Sequence, residues 1–113
     1  MIELGQAKIG PVRPVQMVRY AAGVDDFNPV HFDDTFARSS GLPGVIVQGP
    51  LTVALAVDAI VAQTGLTSLR ALDARLRAPV FPGEELSVVP TDSGAEVRKA
   101  DGTVAATLTF ELA

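Results

Sequence analysis

The stretch from Asp26 to His31 contains the residues of this sequence that are best suited to acid–base chemistry. His31 is the only histidine in the chain. Pro29 restricts its own φ and disfavours a helical conformation at Asn28, so the stretch is predicted to bend between the carboxylate and the imidazole. Such a pair, converging across a bend, can hold and activate one water molecule. Asp26 and His31 are therefore the candidate acid–base pair, although a structural pair or a helix cap could use the same residues.

A longer segment around this bend resembles the hydratase-2 signature of the MaoC-like dehydratases. That signature runs from an aromatic residue through small residues to Gly-Asp-x-Asn-Pro-aliphatic-His, and a small residue follows after five more positions. The matching residues of this chain are Tyr20, Gly23, Asp26, Asn28, Pro29, Val30, His31 and Ala37. The chain departs from the signature at Asp25, which stands where the family has the Gly before the Asp. Residues 47–52 and 75–84 resemble two further segments of the same family, so the resemblance covers most of the chain.

The resemblance implies a hot-dog fold, in which an antiparallel sheet wraps around a long central helix. It also implies an enzyme of the hydro-lyase type, an (R)-specific enoyl-CoA hydratase or 3-hydroxyacyl-CoA dehydratase. Such an enzyme adds water reversibly to a trans-2-enoyl thioester, usually of coenzyme A. Asp26 and His31 would form its catalytic dyad, and which of them acts as acid or base stays open.

The order of the predicted elements agrees with an α+β class and a single domain over residues 1–113. Helical spacing predicts a short helix over residues 15–22. Asp33 and Asp34 are predicted to open a second short helix through Ser39, because acidic residues in a first turn suit the helix dipole. After Gly65 the pattern changes to strands, predicted over residues 72–77, 85–89, 95–99 and 104–112, with a hairpin turn at Asp101-Gly102. Residues 5–14 are predicted to be an irregular entry with at most a short edge strand.

The central helix is predicted to begin around Gln48-Gly49-Pro50 and to run to about Gln63, with Gly65 ending it. It is apolar on nearly every face, which is typical of a buried helix, so residues 51–62 are expected to be core rather than ligand contacts. The backbone N–H of Gly49 would lie free at the positive end of this helix and could stabilise an oxyanion. Gln48 is a candidate for substrate contact, as is Asn28, whose first task is expected to be holding the bend.

Composition excludes several other classes of function. The chain has 113 residues, no cysteine and a net charge of −4, which argues against disulfides, a zinc site and a nucleic-acid partner. The longest apolar run is too short to span a bilayer, and the first residues lack the features of a signal peptide, so a cytoplasmic location is expected. The implied reaction calls for no metal or redox cofactor. Coenzyme A would be part of the substrate and not a cofactor of the protein.

A homodimer is the expected assembly, because about five strands cannot close into a barrel and would leave bare sheet edges. A heteromer with a second MaoC-like chain stays open, as do a hot-dog thioesterase and a non-catalytic subunit. The acyl chain of the substrate is not fixed by the sequence. Candidate partners for coenzyme A phosphates are the arginines Arg38, Arg70, Arg75 and Arg77.

Overall fold

The computed structural model describes residues 4–113, which fold into one antiparallel sheet of five strands with helices against it. In chain order the elements are β1 (Ala7–Lys8), α1 (Pro14–Val24), a 3₁₀ helix (Pro29–His31), α2 (Asp34–Ser39), α3 (Gly49–Thr64), β2 (Leu69–Leu76), β3 (Leu86–Pro90), β4 (Gly94–Lys99) and β5 (Val104–Leu112). The strands are ordered β1-β3-β4-β5-β2, and each neighbouring pair is antiparallel. The predicted α+β class is confirmed, and so are the two short helices, the long helix and the strands.

The turn between β4 and β5 shows why the strand predictions succeed in this half of the chain. The side chain of Asp101 accepts a hydrogen bond from the N–H of Thr103 at 2.8 Å, and the N–H of Gly102 donates to Lys99 O at 3.0 Å. Gly102 has a φ of 89°, a conformation that side chains disfavour. Because the Asp-Gly pair supplies both the local hydrogen bond and the positive φ, the turn fixes the register between β4 and β5.

The hydrophobic core lies between α3 and the central strands of the sheet. Alternate residues of β3, β4 and β5 point into it, and Leu51, Ala56 and Ile60 of α3 cover them. The buried residues of this cluster on the strands are Leu86, Val88, Ala95, Val97, Ala105, Ala106 and Leu108. Ala56 of α3 and Ala105 and Ala106 of β5 are buried in this cluster, so small side chains form part of the packing between helix and sheet.

The helix α3 is buried on one side only, which corrects the expectation of a helix buried all round. Ala54, Asp58 and Ala62 are exposed in the single chain, whereas Ile60 is fully buried. A five-stranded sheet covers one face of a helix, and nothing in residues 4–113 covers the other. In that same range, no helix has both the length and the hydrophobicity needed to cross a membrane.

The strand β2 is also more exposed than its alternating pattern predicts. It forms an edge of the sheet and pairs with β5 on one side only. Seven of its eight residues are exposed in the single chain, and Leu72 and Leu76 retain 37% and 58% of their accessible surface. The alternation of apolar and polar residues is real, but the chain by itself provides no layer that covers the apolar face of β2.

Replacement of Gly94 by alanine is expected to destabilise the fold strongly. A Cβ at Gly94 would overlap the backbone carbonyl of Leu108, which a strand in mid-sheet cannot move aside. Gly23 in α1 is the matched control, because a Cβ there meets nothing within 4 Å. We expect Gly94→Ala to lower the free energy of unfolding by about 1–3 kcal/mol or more, and Gly23→Ala to be neutral or stabilising by up to about 1 kcal/mol. Urea unfolding would measure both, and equal effects of the two changes would contradict the packing described for β4 and β5.

Candidate active site

The end of α1 places Asp26 through an unusual backbone conformation at the residue before it. Asp25 closes the helix in the left-handed region, with φ 57° and ψ 42°, and its N–H donates to Ala21 O. The next N–H, that of Asp26, also donates to Ala21 O at 3.1 Å. Glycine adopts a positive φ without strain, and aspartate is among the few other residues that tolerate it. The Gly of the hydratase-2 signature therefore stands at a position that requires a positive φ, and Asp25 meets the same requirement.

The bend between Asp26 and His31 is closed by side chains that bond to the backbone two residues further on. The carboxylate of Asp26 accepts from the N–H of Asn28 at 3.3 Å, and the side chain of Asn28 accepts from the N–H of Val30 at 3.1 Å. Pro29 then begins the 3₁₀ helix that carries His31. Asn28 thus holds the bend, and its further role as a substrate contact stays a prediction.

The imidazole of His31 is half-buried and has a defined hydrogen bond. Its Nδ1 lies 2.8 Å from the carbonyl oxygen of Ile46. Because a carbonyl oxygen can only accept, Nδ1 carries the hydrogen, and Nε2 of the neutral ring is left as an acceptor. The backbone N–H of Ile46 donates in turn to Val30 O at 3.2 Å. Two hydrogen bonds therefore join the bend to the segment that leads into α3.

Asp26 and His31 lie on the same bend but do not bond to each other. Within residues 4–113, no hydrogen bond or ion pair joins the carboxylate of Asp26 to the imidazole of His31. Both side chains are half-buried. The second carboxylate oxygen of Asp26 and Nε2 of His31 therefore remain available to a third molecule.

Gly49 lies in a cleft of about 280 Å³ at the start of α3. The walls of the cleft are apolar apart from Thr52 and Arg77, and its remaining lining residues are Ile46, Val47, Leu76, Ala78, Pro79, Val80 and Ala105. The Leu76 side chain lies directly over Gly49, and a Cβ at Gly49 would overlap its Cδ1 atom unless that side chain moved. Among the hydrogen bonds of residues 4–113, none uses the N–H of Gly49 as a donor. This N–H is therefore free at the positive end of a 16-residue helix.

The cleft that contains His31 is a neighbouring one. It measures about 290 Å³ and is lined by His31, Asp34 and Val45 together with Pro14, Met17, Val18, Phe32 and Pro82. In the single chain, the structure does not bring Asp26, His31 and Gly49 into one cleft. The short segment of residues 45–47 borders both clefts, since Val45 lines the one and Ile46 and Val47 line the other.

The distance between the two clefts is limited by the chain itself. The carbonyl of Ile46, which holds His31, and the N–H of Gly49 are separated by only two residues, which span at most roughly 9 Å. His31 Nδ1 is 2.8 Å from that carbonyl. The imidazole and the free N–H are therefore close enough for one small molecule to reach both.

Gln48 is fully buried immediately before α3. Its Nε2 donates to the carbonyl of Met17 in α1 at 2.9 Å, and its Oε1 has no partner within the part of the chain that the structure describes. The amide thus ties the start of α3 to α1. Whether Gln48 also touches a substrate stays a prediction.

The arginines differ in their surroundings. Arg38 pairs with Asp34 at 2.9 Å and Arg75 lies 3.6 Å from Asp73, both on exposed side chains. Arg77 lines the cleft of Gly49, and its Nε donates to the hydroxyl of Thr107 at 3.2 Å. Over the same described residues, no group of three His, Asp or Glu side chains could hold a metal ion.

Asp34 connects α2 to the segment that borders both clefts. Its side chain accepts a hydrogen bond from Arg38 and another, at 3.3 Å, from the backbone N–H of Val45. The hydrogen bond from Arg38 and then that from Val45 hold the pKa of the Asp34 carboxyl below its ordinary value. The charged form of Asp34 is thereby the one that anchors Val45, one residue before Ile46.

Replacement of Asp25 by glycine is expected to be tolerated. Both residues adopt the observed φ of 57°, so the stability change should stay within about 1 kcal/mol. Asp25→Val is the contrasting variant, because a β-branched side chain resists this conformation by about 1–2 kcal/mol. Thermal unfolding would compare the three chains. A folded Asp25→Gly variant that has lost its activity would show that the Asp25 carboxylate has a chemical role of its own.

Comparisons with known proteins agree with the sequence motif. The profile of the MaoC like domain matches residues 3–112. The 3-hydroxyacyl-thioester dehydratase Y of Mycobacterium tuberculosis is 37% identical over 106 residues, which cover 84% of this chain and 36% of that protein. The peroxisomal enoyl-CoA hydratase 2 of Arabidopsis thaliana is 35% identical over 77 residues, 66% of this chain and 25% of that protein. The chain thus spans only a quarter to about a third of the length of these two relatives.

Solved structures show the same architecture. The (R)-hydratase PhaJ1 from Pseudomonas aeruginosa matches with a TM-score of 0.82 and 23% identity, over 98% of this chain and 81% of that chain. The ChsH1-ChsH2 complex from Mycobacterium tuberculosis matches with a TM-score of 0.79 and 21% identity, over 100% of this chain and 97% of that chain. At these identities the likeness concerns the fold, and it confirms the hot-dog fold.

Proposed function

Because the chain belongs to the family of MaoC-like dehydratases, we propose that it catalyses the reversible addition of water to a trans-2-enoyl thioester. The product would be the (R)-3-hydroxyacyl thioester. The observation that carries the proposal is the hydrogen bond from His31 Nδ1 to Ile46 O, which is 2.8 Å long. This bond leaves Nε2 as an acceptor. It also keeps the imidazole beside Ile46 O, which lies at most roughly 9 Å from the free N–H of Gly49. The carboxylate of Asp26 stands on the other side of the same bend.

Hydration needs a proton acceptor for water, a proton donor to C2, and stabilisation of the negative charge that develops on the thioester oxygen. One water molecule between Asp26 and His31 would be oriented by the ionised carboxylate, which is an acceptor only. Neutral His31 would take a proton through Nε2 as the hydroxyl oxygen bonds to C3. The imidazolium would then return that proton to C2, so that one water has added across the double bond and both residues are restored.

The thioester oxygen would lie at the N–H of Gly49. There the free donor and the helix dipole favour the enolate-like charge of the transition state. The reacting carbons are only a few bonds from this oxygen, which fits the roughly 9 Å limit between Ile46 O and the N–H of Gly49. The mostly apolar walls of the cleft strengthen the interaction, because they lower the local dielectric around the developing charge.

Replacement of either member of the dyad should abolish most of the hydration. We expect Asp26→Asn and His31→Ala to lower turnover about 100- to 10,000-fold, because each removes a group that moves or orients the proton. Asp25→Asn is the matched control, since it removes the neighbouring carboxylate and asparagine also tolerates a positive φ. Turnover of crotonyl-CoA would be followed by the loss of the enoyl absorbance.

The same assay separates hydration from its alternatives. A parallel measurement of thiol release would detect a thioesterase, and it should stay at background. Near-normal turnover by either dyad variant would contradict the assignment of the site, and thiol release in place of hydration would contradict the proposed reaction. A panel of enoyl thioesters of different length and branching would then define the acyl group that the chain prefers.

We further infer that the working unit contains two hot-dog chains. The support lies in β2, an exposed edge strand with an unpaired side, and in the uncovered face of α3. A long, bare edge strand is a surface that proteins rarely leave unpaired. A homodimer is the first expectation for identical chains, and the named complex of ChsH1 with ChsH2 suggests a heteromer as the second.

A charge introduced into β2 should weaken the pairing. We expect the wild-type chain to be a dimer at micromolar concentration and Leu72→Lys to shift it towards the monomer, because a lysine on an edge strand opposes strand pairing. Leu66→Lys is the control, since Leu66 is 89% exposed outside the strand. Sedimentation velocity would measure the three chains. A wild-type chain that is monomeric and fully active at this concentration would contradict the inference.

A further inference from the structure

Thr52 is a buried polar residue in the first turn of α3, beside the candidate oxyanion site. Its side chain is 2% exposed, and it lines the same cleft as Gly49. Its hydroxyl has no hydrogen-bond partner among the residues that the structure describes. The apolar pattern of residues 51–62 indicates core packing and gives no separate signal for Thr52. A buried hydroxyl without a partner costs about 1–3 kcal/mol, so its presence needs an explanation.

The helix itself does not supply that explanation. A threonine in a helix commonly donates to the carbonyl four residues earlier. Thr64 does so near the end of α3, where its Oγ1 donates to Ile60 O at 2.9 Å. For Thr52 the corresponding carbonyl is that of Gln48, which instead accepts the backbone N–H groups of Leu51 and Thr52 at 3.1 and 3.2 Å. The Thr52 hydroxyl therefore has no hydrogen-bond partner within its own helix.

The position of Thr52 relative to Gly49 points to a shared ligand. Residues three apart lie on the same face of a helix, about 5–6 Å from each other. Side chains on a helix lean towards its N-terminus, which for Thr52 is the direction of Gly49. The free N–H of Gly49 and the unpartnered hydroxyl of Thr52 therefore lie close together at one side of the cleft. The other residues that line the cleft are apolar except for Arg77.

We propose that the hydroxyl of Thr52 donates a second hydrogen bond to the oxygen of the bound thioester, next to the N–H of Gly49. This assignment rests on the proposed hydration reaction and makes Thr52 a further catalytic residue of that site. The bond strengthens as charge moves onto the oxygen, so it lowers the barrier more than it tightens substrate binding. Leu76 lies over Gly49 and is 58% exposed, so its side chain has room to turn aside when the thioester enters.

Thr52→Val tests the proposal because it removes the hydroxyl and keeps the shape of the side chain. We expect kcat for crotonyl-CoA to fall about 100-fold or more, the effect of losing one oxyanion donor, with little change in KM. Thr52→Ser keeps the hydroxyl and should retain most of kcat. The melting temperature of Thr52→Val should equal or exceed that of the wild type, because the change removes an unpaired polar group from the interior.

Thr64→Val is the matched control at the other end of the same helix. It removes a hydroxyl that bonds to Ile60 O and lies 2.6 Å from the hydroxyl of Ser68. It should therefore lower the melting temperature and leave kcat unchanged, the opposite of the result expected for Thr52→Val. If Thr52→Val does not fold, Thr52→Ser and Thr52→Ala provide the same comparison with and without a hydroxyl.

Two results would overturn the assignment of Thr52. One is a Thr52→Val variant with wild-type kcat, which would leave the hydratase function intact and remove only Thr52 from it. The other is a loss of kcat that is matched by a lower melting temperature and not rescued by serine, which would show a structural role. A wild-type chain that hydrates no enoyl thioester would instead refute the proposed function, and the role of Thr52 with it.

Discussion

The segment of residues 45–48, just before α3, is bonded to four separate parts of the chain, and the candidate site depends on these bonds. The N–H of Val45 donates to the side chain of Asp34 in α2 at 3.3 Å. Ile46 bonds to Val30 and His31 of the bend, the N–H of Val47 donates to Val80 O at 2.8 Å, and the buried amide of Gln48 bonds to Met17 O of α1. Each residue of the segment is thereby joined to a different part of the chain. The position of the start of α3 is therefore fixed, and Gly49, whose N–H is the first of the helix, lines a cleft together with Leu76.

The candidate site lies where the buried part of the molecule meets its exposed part. The inner strands and one face of α3 form a closed core, whereas β2 and the opposite face of α3 stay exposed in the single chain. Both clefts lie around the start of α3 and its leading segment, on the border between these two regions. A second chain that covers β2 would complete the burial and lie close to the cleft of Gly49, since Leu76 belongs to both.

Much of this structure can be predicted from local patterns. The bend follows from Asn28 and Pro29, the hairpin from Asp101 and Gly102, and the long helix from its apolar run and its terminal glycines. These features depend on residues that lie close together in the sequence. The signature residues Asp26 and His31 are placed on one bend for the same reason, and their catalytic roles stay predictions.

Other features depend on contacts between distant residues, which a pattern does not contain. The exposure of β2 reflects its place at the sheet edge. His31 and Gly49 line two different clefts, which meet at residues 45–47, and Asp26 lines neither of them. The same holds for the unpartnered hydroxyl of Thr52. A sequence shows an apolar helix with a threonine in its first turn, and only the packed structure shows that the hydroxyl lacks a partner beside a free N–H.

The central claim is that the start of α3 holds the thioester oxygen while the bend of Asp26 and His31 faces the double bond. The most direct measurement is a crystal structure of the His31→Ala variant with crotonyl-CoA bound. We expect the thioester oxygen to lie about 2.7–3.1 Å from the nitrogen of Gly49, with C3 directed towards the position vacated by the imidazole. A bound thioester whose oxygen lies outside the cleft of Gly49, or whose C3 points away from residue 31, would contradict the claim.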